Sequence, residues 1–318
     1  MKLESLWLVG AGPMARAHAE VLCAQQVAFE TIGRGESSAG AFEAEIQRPV
    51  RIGGLAAALK TSEAPQRAIV AVGVEHLADS ALALIRAGTK QILLEKPGGL
   101  HLGELHTLNA AALEHGASIQ IAYNRRFFSS VLAARELIDQ EGGLTSFRFE
   151  FTEWGHVIEP LEKGAGVKAH WALGNSAHVI DLAFYFGGLP VDWQHWRGGE
   201  LSWHPAAARF CGAGVTASGA LFSYSADWQA PGRWALELMT RQHRYILCPI
   251  EGLQRIPLGS VRAESIPLDD QLDRDFKPGL YRQDAAFLAG SLGSESCSLQ
   301  CQLAIADVVS DMAGYATP

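Results

Sequence analysis

The sequence predicts an α/β chain of two unlike parts: an N-terminal doubly wound parallel sheet, then an α+β part built on a largely antiparallel open sheet. Three observations predict it. Apolar runs alternate with amphipathic segments over residues 1–123, a glycine-rich turn joins the first run to a helical pattern, and beyond Tyr123 the apolar period shortens to two. The boundary falls between 123 and 124, so the second part runs 124–318, with helices over about 281–314 available to pack back on the first.

In the first part, strands are expected at 6–10, 27–32, 50–53, 67–73, 90–95 and 118–122. Helical patterns fill the intervals at 14–25, 38–47, 54–61, 76–87 and 103–115. Gly88 and Gly116 stand just past the last two, where helix-ending glycines belong. In the second part a helix over 130–141 stops at Gly142-Gly143. Phe147 to Trp154 then alternates as a half-buried strand, and similar alternation recurs at 191–196, 221–228, 233–239 and 245–248. Helical patterns return at 281–292 and 299–314, and no repeat or low-complexity tract interrupts the chain.

Composition narrows the partners. A net charge of -8 carries no electrostatic footprint for nucleic acid or an anionic membrane. No apolar run approaches the roughly 20 residues of a membrane span. Met1 to Ser5 enters a strand without a signal-peptide core, which predicts a cytoplasmic protein. Five scattered cysteines predict no disulfide framework; Cys297 and Cys301 are expected on one helix face, as packed thiols and not as metal ligands, and no metal site is expected.

The chemistry begins at the first turn. Leu6-Trp7-Leu8-Val9 runs straight into Gly10-Ala11-Gly12-Pro13-Met14-Ala15, which is G-x-G-x-x-A between a strand and a helix, the dinucleotide-binding (Rossmann) fingerprint. Gly10 allows the tight turn, Gly12 lets the backbone approach a pyrophosphate, and Ala15 is small enough for helix to pack on strand. The helix N-terminus then offers N–H groups and a positive dipole end to phosphates. After the second strand, where an NAD site offers a carboxylate to the ribose, the chain has Gly33-Arg34-Gly35-Glu36-Ser37-Ser38. Arg34 with Ser37 or Ser38 suits a 2′-phosphate, so NADP(H) is favoured; NAD(H) stays open because Glu36 can take the ribose role.

A second motif is Ile92-Leu93-Leu94-Glu95-Lys96-Pro97, a short apolar strand that delivers Lys96 to its carboxyl end, where open α/β sheets bind ligands. Pro97 biases Lys96 away from helical backbone. A third is Gly174-Asn175-Ser176-Ala177-His178-Val179-Ile180-Asp181, with His178 and Asp181 on one helix face and Asn175 a turn earlier. A histidine suits proton transfer during alcohol oxidation, although helix capping or core hydrogen bonding gives the same pattern.

In combination, the fingerprint, Glu95-Lys96-Pro97, Tyr123-Asn124-Arg125-Arg126-Phe127 and His178-Val179-Ile180-Asp181 resemble, in order and spacing, the glucose-fructose oxidoreductase and inositol dehydrogenase (Gfo/Idh/MocA) family. The resemblance implies a Rossmann domain followed by a substrate domain, with Lys96 and His178 beside the nicotinamide and the reacting hydroxyl of a sugar, cyclic polyol or sugar-nucleotide. It implies a homodimer or homotetramer formed through the open face of the second sheet. Catalytic candidates are Lys96, His178 and Asn175. Cofactor candidates are the fingerprint residues, Gly33, Arg34, Ser37, Ser38, Val72, Glu95, Lys96, Pro97 and Asn124. Substrate candidates are Tyr123, Arg125, Trp154, His156, Lys168, Trp171, Asp181 and Tyr281.

Seven of the eight tryptophans lie in the second part, where they suit stacking on a sugar ring or an ordinary core. Arg125, Arg126 and Arg233 suit a substrate phosphate, or surface and interdomain pairs. One departure from the family stands out: the aspartate usually found four residues before the histidine is Gly174 here, followed by Asn175, which accepts no proton at neutral pH. The relay then rests on Lys96 and His178, or recruits Tyr281 or Glu153. Two other readings stay open, a reductase of a small carbonyl or imine and a catalytically weak NADP-binding sensor or partner protein.

Overall fold

The computed structural model describes residues 5–290 and 293–315; Met1 to Glu4 and the end of the expected 281–292 helix lie outside them. Residues up to Asn124 together with Leu272–Leu303 form one compact unit, and Arg125–Gln271 with the segment from Ala304 form a second. The chain therefore crosses between units three times: Leu272–Leu303 packs back on the first unit, as the sequence allows for the helices of 281–314, while the segment from Ala304 belongs to the second.

The first unit is a doubly wound α/β sheet. Its strands are β1 (Leu6–Val9), β2 (Glu30–Ile32), β3 (Val50–Arg51), β4 (Arg67–Val70), β5 (Gln91–Glu95) and β6 (Ser118–Ala122). All pair in parallel in the order β6-β5-β4-β1-β2-β3. The chain reverses its winding at β1, between β4 and β2, so the carboxyl ends there open a crevice. Helices α1 (Pro13–Ala24), α2 (Glu36–Ile46), α3 (Gly54–Thr61), α4 (Val74–Ala87) and α5 (Leu102–His115) make the connections. Gly88 and Gly116 close α4 and α5 in left-handed conformation. β1 is buried along its whole length, as a strand covered on both faces must be. Its Leu6 and Leu8 join Ala15, Ala19 and Leu22 of α1 and Phe287 of the later helix Leu280–Leu288 in one core cluster. A two-residue strand, Cys297–Ser298, adds antiparallel to β6. Cys297 thus lies in a strand and Cys301 in the helix that follows, and the helix face expected for both does not exist.

The second unit holds an eight-stranded sheet in the order β14-β13-β12-β11-β7-β10-β9-β8. These are β7 (Ser146–Glu150), β8 (Pro190–Gly198), β9 (Arg209–Thr216), β10 (Leu221–Asp227), β11 (Ala235–Met239), β12 (His243–Leu247), β13 (Gln254–Pro257) and β14 (Glu264–Ser265). Every pairing is antiparallel except β7 with β10. Phe147 and Phe149 on β7, Phe222 on β10 and Phe184 of the helix Ala177–Gly187 interlock at 5.3 to 6.5 Å between ring centroids. That helix is apolar almost all round and buried throughout except Tyr185, the pattern of a helix with no solvent face.

β9 had no counterpart among the expected strands, because Gly212 and Gly214 erase its alternation. Both are demanded by packing: a Cβ on Gly212 would fall 2.6 Å from the Tyr224 ring, and one on Gly214 2.3 Å from Trp193 Cβ. The strand expected from Arg233 begins only at Ala235, which leaves Arg233 and Trp234 in the approach loop. Among the described residues, no helix is long and apolar enough to cross a membrane.

Candidate active site

In the first unit, a cavity of ≈ 870 Å³ opens over the carboxyl ends of β1, β2 and β4. Its floor is the fingerprint turn. Gly10 has φ +123, and a Cβ there would stand 2.1 Å from the Ala71 carbonyl oxygen, so the turn is closed to any other residue. Gly12 has ordinary extended backbone, and a Cβ would meet nothing within 4 Å; the space above it is open to a ligand. Gly12, Pro13 and Met14 line the cavity, while Ala15 faces inward, fully buried.

Arg34, Ser37, Ser38 and Val72 line the same cavity. The Arg34 Nη1 lies 3.1 Å from His76 Nε2, and Ser38 Oγ donates to the Gly35 carbonyl at 3.3 Å. Gly33 is not among the lining residues and packs inward, where a Cβ would meet Val50 Cγ1 at 2.5 Å. His76 and Asp79, one turn apart at the start of α4, also line the cavity. Nothing in their local sequence marks them, since only the β1–β4 pairing brings α4 beside the fingerprint.

At the end of β5, Lys96 is half-buried and joined to Pro97 by a cis peptide bond. The Pro97 carbonyl accepts from Gln302 Nε2 at 2.9 Å, and Asn124 Nδ2 donates to the Pro278 carbonyl at 2.9 Å. Glu95, expected beside the cofactor, is instead one arm of a buried trio. His18 on α1 places Nε2 3.1 Å from Glu95 Oε1 and Nδ1 2.9 Å from Asp284 Oδ2. Ionised carboxylates only accept, so with both arms ionised both ring nitrogens donate and the ring is an imidazolium, while burial and the neighbouring Glu95 charge raise the Asp284 pKa against the pull of His18. Burial disfavours that charge, but Asp284 and Glu95 outweigh it and raise the His18 pKa to about 10. Tyr123, expected at the substrate, is a fully buried core ring, and the Tyr281 ring lies tilted against Phe276 at 5.1 Å with its carbonyl held by Gln25.

In the second unit, a single π-helical turn, Ala172–Ser176, precedes the helix that carries His178. Such π turns concentrate at functional sites. Gly174 and Asn175 lie in it, and Asn175 Nδ2 donates to Glu153 Oε1 at 2.9 Å while Ser176 Oγ donates to the same oxygen at 2.8 Å. Glu153 is buried, and its other oxygen lies 3.5 Å from Arg233 Nη1. A carboxylate therefore stands behind the turn whose own aspartate position is Gly174. His178 is buried with its ring 6.0 Å from that of Trp234. The Arg125 and Arg233 guanidinium carbons each lie 4.8 Å from the Trp234 centroid. Burial and the neighbouring Arg233 charge lower the Arg125 pKa to about 10 against the pull of Glu251 and Glu153.

The other substrate candidates have the following surroundings. Asp181 is fully buried and takes Arg126 in a bidentate pair, Nε to Oδ2 at 2.8 Å and Nη2 to Oδ1 at 2.6 Å, which anchors the helix. Arg126 is accordingly a buried residue and not a surface one. Trp171 is buried against Trp203, and Lys168 donates to the Glu159 carbonyl at 2.6 Å. Trp154 and His156 are exposed; Trp154 Nε1 donates to the Gly232 carbonyl and its ring lies under Arg233.

Fold and fingerprint define the class: a Rossmann-type α/β unit and a unit with a largely antiparallel open sheet. No family model matches the sequence, and no curated protein matches it. Solved structures do. UDP-N-acetylglucosamine 3-dehydrogenase from Acidithiobacillus ferrooxidans is 15% identical over 98% of this chain and 96% of its own, with a TM-score of 0.74. Levoglucosan dehydrogenase in complex with NADH and L-sorbose is 17% identical over 99% and 97%, with a TM-score of 0.77. An oxidoreductase from Agrobacterium radiobacter in complex with NAD+, L-tartaric acid and magnesium is 12% identical over 99% and 97%, with a TM-score of 0.79. At these identities the shared property is the fold, over nearly the full length of each chain.

Proposed function

We propose that this chain is a nicotinamide-dependent oxidoreductase of the glucose-fructose oxidoreductase and inositol dehydrogenase type, acting on a CH–OH group of a sugar, cyclic polyol or sugar-nucleotide. The observation that carries the reading is the cavity at the sheet's switch point, floored by Gly10 and Gly12 at the start of α1. The names of the solved structures with the same fold, two of them dehydrogenases of sugar-derived compounds, support it. When bound, the nicotinamide supplies the hydride acceptor or donor.

The chain's own residues do the rest. The α1 N-terminus and the Gly12 backbone hold the diphosphate, and Arg34 with Ser37 and Ser38 receives a 2′-phosphate, which favours NADP(H) over NAD(H). Lys96 steadies the charge that develops on the reacting oxygen, and His178 takes up or returns its proton. Glu153, bonded to Asn175 and Ser176 one turn before His178, supplies the carboxylate that Gly174 lacks and orients the turn. The protein works as a homodimer or homotetramer through the uncovered face of the second sheet, where Trp196 and Leu221 are each more than 60% exposed.

Gly174 favours one rival, a cofactor-binding sensor with little turnover. A Lys96→Met variant separates the two. The enzyme reading expects turnover to fall at least 100-fold with dinucleotide affinity within threefold of the parent. Parent protein that binds NADPH tightly yet turns over no member of a broad sugar and polyol panel would establish the sensor instead.

A further inference from the structure

Around Trp234 the second unit collects more hydrogen-bond donors than nearby acceptors. The Arg125 guanidinium is enclosed by the Trp234 ring at 4.8 Å and the Phe128 ring at 5.8 Å. Among the described residues it makes no hydrogen bond and no ion pair within 4 Å. Arg233 lies over the same indole at 4.8 Å and over Trp154 at 5.0 Å. The Trp234 Nε1–H is buried with no acceptor among the described residues. A partly buried cation without an ion-pair partner and a buried donor both gain from something that accepts from them, and folded chains ordinarily provide it.

The carboxylates nearby do not fill that role. Glu153 spends Oε1 on Asn175 and Ser176 and reaches Arg233 only at 3.5 Å with Oε2. Glu251 attracts Arg125 from an exposed turn and forms no ion pair with it. Two guanidiniums against one close carboxylate leave an excess of positive charge beside Trp234, whose ring is 6.0 Å from that of His178. Arginine forks bind planar or tetrahedral oxyanions through paired hydrogen bonds, and aromatic stacking holds the fork in plane for it.

We infer, resting on the oxidoreductase reading above, that the substrate bears an anionic oxygen group, a carboxylate or a phosphate ester, held by Arg125 and Arg233 against Trp234. The Trp234 ring offers an apolar surface to the sugar carbons, and the anion fixes which hydroxyl reaches His178. Substrate selection then turns on charge before it turns on sugar stereochemistry.

Calorimetric titration tests this directly, with a panel of uronic acids, aldonic acids and sugar phosphates, each paired with its neutral parent sugar. The expected result is that at least one anionic member binds at least tenfold tighter than its parent. That preference collapses to about unity in Arg125→Gln and Arg233→Gln, and Arg125→Lys, which keeps charge and fold but loses the fork, retains part of it. Acids that respond while phosphates do not, or the reverse, identify the group. Neutral sugars binding as well as anions, or no anion binding below 10 mM, overturns the inference and leaves the dehydrogenase reading standing if NADPH binds. Anion binding that depends on Arg125 in a protein that binds no dinucleotide supports the anion site and removes the oxidoreductase reading.

Discussion

Two alanine substitutions, two residues apart in the fingerprint turn, should fail in opposite ways. At Gly10 a methyl would stand 2.1 Å from the Ala71 carbonyl oxygen, at φ +123. The backbone conformation alone costs about 1–2 kcal/mol for a residue with a Cβ. Relieving the overlap means moving β1 against the end of β4, which adds about 1–3 kcal/mol on the scale of overpacked cores. Gly10→Ala should thus destabilise the first unit by about 3 kcal/mol, or roughly 10 °C in its melting transition. At Gly12 the backbone is extended and a methyl meets nothing within 4 Å. Gly12→Ala should change stability by less than about 1 kcal/mol. Its methyl occupies the space a diphosphate needs, so dinucleotide affinity should fall about 100-fold, worth some 2.7 kcal/mol. Scanning calorimetry reads the first effect and fluorescence titration with NADPH the second. A Gly12→Ala protein that binds NADPH as the parent does would show that the cavity is not the dinucleotide site. A Gly10→Ala protein as stable as the parent would refute the steric account of the turn.

The His18 trio predicts a pH dependence of known sign. Its folded pKa of about 10 lies above the ordinary 6.5, so its stabilisation is complete below about pH 6.5 and is lost as pH rises through 10. His18→Gln should be less stable at pH 6.5, and the gap should narrow by pH 10 in denaturant titrations; an equal gap at both pH values refutes the imidazolium. The buried Arg126–Asp181 pair predicts that Asp181→Ala, which strands the guanidinium, costs about 3–5 kcal/mol. Arg126→Met with Asp181→Leu should recover most of that loss, and additive losses in chemical denaturation would contradict it.

The first unit was legible because its signals are local: apolar runs of strand length, helical periods between them, and glycines at the exact points where left-handed backbone ends α4 and α5. Helix α3 falls on the expected bounds, Gly54–Thr61. What escaped depends on distant pairing. The Cys297–Ser298 strand is too short for a period and exists because β6 offers it a free edge. β9 is hidden by glycines that make room for aromatic neighbours. The His18 trio joins three elements far apart in the chain, although a histidine on the same helix face as Ala15, Ala19 and Leu22 signals a buried, partnered ring. Asp181 has the helical spacing of a site residue, yet its partner Arg126 is 55 residues away. Glu153 and Gly174 show the reverse: the missing aspartate was plain in the sequence, and only the fold brings a carboxylate to that turn.

The proposed activity requires a nicotinamide dinucleotide in the cavity over β1, β2 and β4. The measurement that tests it most directly is a fluorescence titration of the purified chain with NADPH and with NADH, repeated on Arg34→Asp. The predicted result is micromolar binding of NADPH, weaker binding of NADH, and a reversal of that order in the variant. If neither dinucleotide binds below about 1 mM, near −4 kcal/mol, the fingerprint serves the fold alone and the oxidoreductase account is wrong.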